Sequence, residues 1–164
     1  MDQHRRYGFV ALSLLVNLAY ASSPTFDQRT WTIGYDAADS PQHITEYVVP
    51  PDTVESWSEL ITSQIIADPT HNLTLSALLS RIKSGFGRDC REFKWAILKE
   101  SEESIMLEWS HNGCASFPPQ YEVSSLSICK SGVCRWAYAT KVVPVSEEAR
   151  ANWRQIIGNL RPNP

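Results

Sequence analysis

The residues best suited to chemistry lie together in His111-Asn112-Gly113-Cys114. A thiolate nucleophile needs a base within hydrogen-bond reach and a free sulfur. The chain has four cysteines, at 90, 114, 129 and 134. An even count in an exported chain reads as a disulfide framework, which would take the sulfur of Cys114 away from catalysis. His111 then reads as a polar loop residue. His43, His71 and His111 are far apart in sequence, and none has a second ligand at helical spacing, so no metal site is expected. The motifs G-x-S-x-G, H-E-x-x-H, C-x-x-C, G-x-G-x-x-G and the P-loop are all absent. No catalytic residue and no cofactor is assigned.

The six tryptophans, at 31, 57, 95, 109, 136 and 153, fall on apolar stripes or strands, where core packing is the default. A ligand pocket lined by aromatics is the functional alternative. Trp57, Trp136 and His111 are candidate binding residues. So are Pro118 and Pro119, which make a semi-rigid exposed connector. The acidic cluster Glu100, Glu102 and Glu103 reads as a solvated turn. Asn72-Leu73-Thr74 is a glycosylation sequon, with meaning only in a eukaryotic secretory route.

These residues need a compartment and a scaffold. His4, Arg5 and Arg6 form a positive start, Phe9 to Leu18 a short apolar run, and Ala19-Tyr20-Ala21 a cleavage pattern. Residues 1–21 therefore read as a secretory signal peptide, too short in its apolar part to span a bilayer. Residues 22–164 read as a single domain, with a core over about 30–162. Hydrophobic residues make up 43% of the chain and the net charge is −3. That composition supports a real core, and it argues against nucleic acid and anionic lipid as partners.

Alternation in Trp31–Tyr35 and the β-prone run Ile44–Val49 predict two strands. Asp52 with Glu55 resembles a capping box, and Val54, Trp57, Leu60, Ile61 and Ile65 fall on one helical stripe. That predicts a helix ending at Asp68-Pro69. A second helix is expected from about Thr74, burying Leu75, Leu78, Leu79 and Ile82 and capped by Gly85 or Gly87. Two hairpins follow, turning at Ser101–Glu103 and Lys130–Gly132. Ser146 caps a last helix whose stripe is Ala149, Trp153, Ile156, Ile157 and Leu160.

If the first hairpin turns near Glu102, facing residues have numbers that sum to about 204, and Cys90 and Cys114 satisfy this. Cys129 and Cys134 flank the second turn. The expected pairs are Cys90–Cys114 and Cys129–Cys134.

The resulting order, β-β-α-α-β-β-β-β-α, resembles the Mog1/PsbP-like fold. That implies an α+β class, with a mostly antiparallel sheet of about six strands covered by helices. The stretch Glu46–Thr62 is similar to one in a group of uncharacterised exported bacterial proteins. So is Tyr138-Ala139-Thr140-Lys141 followed by the Trp153 helix. The resemblance implies no activity and carries no catalytic residue. The expected function is a soluble, exported, non-enzymatic protein in the bacterial periplasm. It would bind a protein partner or a small ligand, in one version as an immunity-type inhibitor of a toxin. A hydrolase with an unfamiliar site and a secreted effector are the alternatives.

Overall fold

A computed structural model gives the fold, and it describes residues 25–68, 70, 72–86, 90, 92–114 and 117–161. The expected signal peptide and the Gly87 cap lie outside the described residues.

Seven strands form one antiparallel sheet. They are β1 (Thr32–Asp39), β2 (Gln42–Val48), β3 (Glu59–Ala67), β4 (Lys94–Glu100), β5 (Ser104–His111), β6 (Gln120–Cys129) and β7 (Gly132–Thr140). Their order across the sheet is β1-β2-β3-β7-β6-β5-β4. Helices α1 (Leu75–Phe86) and α2 (Glu147–Asn159) complete the described elements.

The fold class is therefore corrected. The chain is mostly β, not an α+β sheet of six strands with two helices ahead of the hairpins. The expected order, on which the Mog1/PsbP-like resemblance stood, changes at its third element. Residues predicted as the first helix instead form the approach to β3 and β3 itself. The reason is position in the sheet. β3 pairs with β2 on one side and along its full length with β7 on the other. Leu60, Ile61 and Thr62 are all buried, so both faces of this strand are covered. A strand buried on both faces reads as an apolar run and loses the period-two signature. Asp52 caps no helix. Its carboxylate accepts the backbone N–H of Ser58 at 2.7 Å and the Ser58 hydroxyl at 2.6 Å, closing the loop between β2 and β3.

The two faces carry separate cores. On one, α2 buries Trp153 and Ile157 against Tyr47, Ile61, Val123, Trp136 and Tyr138, with Phe26 and Trp31 of the segment before β1. Tyr138 stacks on Trp153 at 3.7 Å between centroids. The Ser146 hydroxyl accepts the N–H of Ala149, as an N-cap should. On the other face, α1 buries Leu75, Leu78 and Leu79 against Ile105, Leu107, Trp109, Leu126 and Val133.

The first hairpin matches its expected register, whereas in the second Gly132 belongs to β7 and pairs with Cys129. Lys94 faces Ser110 and Trp95 faces Trp109, until a bulge between Ile97 and Lys99 shifts the pairing by one residue. A second bulge interrupts β1 between Ile33 and Tyr35. Cys90 is bonded to Cys114 with a Cα separation of 4.6 Å, and Cys129 to Cys134 with 5.9 Å. Both pairs are those expected from the strand reading. Gly132 opens β7 at φ 137°, a left-handed conformation that favours glycine, close against the backbone of Ile66 and Asp68.

Candidate functional site

Strand register builds one concave site. Lys94 on β4, Ser110 on β5 and Tyr121 on β6 share one row, and Ala96 and Glu108 share the next. Alternation sends these side chains to the face on which α2 lies. The linker after β7 supplies Val143, Pro144 and Val145, and α2 supplies Arg150. Together they enclose a cavity of about 300 Å³, at the lower end of the usual range for small-molecule sites.

A charge cluster forms its floor. Glu108 is 5% exposed. Its carboxylate accepts Arg154 twice, from Nε and Nη2, both at 2.9 Å. It also accepts the Tyr121 hydroxyl at 2.9 Å and an N–H of Arg150. Glu147, in the first turn of α2, accepts Arg154 at 2.7 Å and pairs with Arg150 at 3.2 Å. Burial pushes the Glu108 carboxyl up, but the hydrogen bonds from Arg154, Arg150 and Tyr121 outweigh it and hold it below the usual carboxylate range. Burial, with the Glu108 charge beside it, pushes the Tyr121 hydroxyl well above its ordinary value. Neither group is poised to exchange a proton near neutral pH.

His111 also borders the cavity and is 3% exposed. Its ring stacks on Trp109 at 5.7 Å, and Nδ1 accepts the Gly113 N–H at 3.1 Å. Burial lowers its pKa, so it is neutral at neutral pH. Cys114 is locked in a disulfide, which leaves His111 no thiolate to activate.

The other candidates divide. Trp57 is half-buried in the loop before β3, beneath the Lys141 ammonium at 3.9 Å. Lys141 donates its backbone N–H to Ser58 at the same end of the sheet. Pro118 and Pro119 lead into β6 there, beside the row that pairs His111 with Gln120. Four of the five candidate binding residues thus share one end of the sheet. Trp136 does not join them. It sits mid-strand in the α2-side core, near Phe26 at 5.8 Å, and its indole N–H donates to the Arg161 carbonyl. Its role is packing.

The residues that sequence reading missed are Lys94, Glu108, Tyr121, Arg150 and Arg154. A signal existed for two of them, Arg150 and Arg154. Glu147, Arg150 and Arg154 recur at three- and four-residue spacing, which makes a charged stripe beside the Trp153 and Ile157 stripe of α2. A buried carboxylate opposite such a stripe is what Glu108 provides.

Among the described residues, no group of three His, Cys, Asp or Glu could hold a metal ion. No described helix is long and apolar enough to cross a membrane. No family model and no curated protein matches the chain.

Proposed function

We propose that this chain is an exported, non-enzymatic binding protein of the bacterial periplasm that holds a ligand in the cavity between β4, β5 and α2. The observation that carries this reading is the state of the cavity's polar groups. Glu108 and Glu147 balance Arg150 and Arg154, and Tyr121 donates to Glu108, whose carboxyl is held low while the Tyr121 hydroxyl is pushed high. That arrangement gives a rigid polar floor and no general acid or base. Two disulfides favour an oxidising compartment.

Osmotic-shock fractionation tests the location: the protein should be released with the periplasmic fraction, shortened by about twenty-one residues. Retention in the cytosol with free thiols would refute it. NMR titration with a small-molecule library tests the binding. Shifts should cluster at Ala96, Ser110 and Val143–Val145. Saturation of the library with no shift there would refute a ligand site.

A partner protein is the second reading, in the form of an immunity-type inhibitor. It is favoured by Phe117 and Val142, which are 64% and 66% exposed on loops at the cavity end of the sheet. A toxin encoded beside this chain would be the specific partner to test.

A further inference from the structure

We propose that the cavity takes a carboxylate carried on a small apolar body, with Arg150 as the group that receives it. The proposal rests on the cavity being a ligand site and names the ligand's chemistry.

The ionic residues lining the cavity are Lys94, Glu108 and Arg150. Glu108 is matched from behind by Arg154, which grips both of its oxygens, while Tyr121 donates to one of them. Arg150 bonds Glu108 as well and pairs with Glu147 at 3.2 Å, so the two carboxylates and two arginines balance. The Arg150 Nε is nonetheless buried with no hydrogen-bond partner among the described residues. Its side chain is also 33% exposed, so part of the fork reaches the open space. Lys94 stands on the edge strand, exposed and with no ion pair among the described residues. With that cluster neutral, Lys94 leaves the cavity one positive charge in excess, beside an unsatisfied donor of Arg150. An incoming anion would restore the balance. A carboxylate matches the planar guanidinium fork better than a spherical ion does.

The rest of the wall decides what the carboxylate is attached to. Ala96, Val143, Pro144, Val145 and the Tyr121 ring are apolar or aromatic. The space of about 300 Å³ equals roughly ten water molecules at ~30 Å³ each. That holds one ring or a short branched chain. A strongly hydrated inorganic anion would leave this wall uncovered. The source of such a ligand is either a free small acid or the C-terminal residue of a peptide, and the two present the same chemistry.

The test uses the oxidised mature protein with phenylacetate and its neutral isostere phenylacetamide, followed by NMR and calorimetry. Phenylacetate should bind at least about tenfold more tightly, because a charge-assisted hydrogen bond contributes ~1.5–3 kcal/mol. R150Q should remove that preference, while K94Q, at an exposed site, should weaken the acid only about twofold to fivefold. If R150Q melts below the assay temperature, the comparison of acid with amide on the unaltered protein still decides. Equal binding of acid and amide overturns the carboxylate assignment and leaves the binding function standing. Failure of both to perturb Val143–Val145 at saturating concentration overturns both. An Ala-Phe dipeptide and its C-terminal amide separate the sources. Tighter binding of the dipeptide acid than of phenylacetate assigns a peptide terminus, and the reverse assigns a free acid.

Discussion

Replacing Glu108 by Gln probes the cluster on which the site is built. The change keeps the shape and removes the charge. Of four donors that now converge on two oxygens, Arg154 Nη2 and Arg150 share Oε1, and Arg154 Nε and Tyr121 share Oε2. Glutamine keeps one oxygen and turns an NH₂ toward the other pair. Breaking a fully buried ion pair costs ~3–5 kcal/mol. Here Arg150 and Arg154 are 33% and 26% exposed, so water recovers part of that, and about 2–3 kcal/mol is expected at pH 7. For a chain of this size, that lowers Tm by about 6–10 °C. The loss has a pH signature. The Glu108 carboxyl titrates below its unfolded value of ~4.3, so its stabilisation is complete above that pH and disappears as pH falls through the folded value. Urea melts of both proteins from pH 7 to pH 3 should show a gap that closes only in acid. A gap under about 1 kcal/mol at pH 7, or one that persists unchanged at pH 3, would refute the assignment of Glu108 as a clamped carboxylate.

Other outcomes follow from the same geometry. Because burial lowers the His111 pKa, the unfolded chain takes up that proton first. Stability should therefore fall as pH drops from ~6.5 toward the folded value. H111Q should flatten this slope in melts between pH 7.5 and 5.5. Removing the Cys90–Cys114 bridge in a double-serine variant should cost about 3 kcal/mol on the loop-entropy model, read from the urea midpoint. G132A should destabilise by more than about 2 kcal/mol, since its Cβ would fall 2.2 Å from the Ile66 carbonyl oxygen at a positive φ. G158A should do the opposite. Its Cβ would meet Met106 at 3.6 Å, an ordinary contact, and the gain in helix propensity is ~0.5–1 kcal/mol in a thermal melt.

The contrast between the hairpins and β3 shows which physics is local enough to read. β4 and β5 alternate apolar and polar residues around a polar turn, so register followed from counting, and the disulfide followed from register. The Ser146 cap and the Trp153 stripe of α2 are equally local. β3 is not. Val54, Trp57, Leu60, Ile61 and Ile65 satisfy a helical spacing, and only the partners β2 and β7 decide against it. The site suffers from the same distance. Glu108 meets Arg150 and Arg154 forty-two and forty-six residues along the chain. Each looks like a solvated charge until the sheet places them together. The cysteine count alone suggests that Cys114 is spent in a disulfide, and His111 beside it stacks on Trp109.

Among the described residues the sheet is open, and both of its outer strands carry a kink. Ile33 and Tyr35 on β1, and Ile97 and Leu98 on β4, are exposed apolar residues on margins that another chain could join. The slips between Ile33 and Tyr35 and between Ile97 and Lys99 break the spacing of the free N–H and C=O groups at those places. A straight strand can match such a margin for only a few residues before losing step. Growth into fibres is thereby resisted in a crowded compartment, and one molecule can keep greasy borders without fusing to the next.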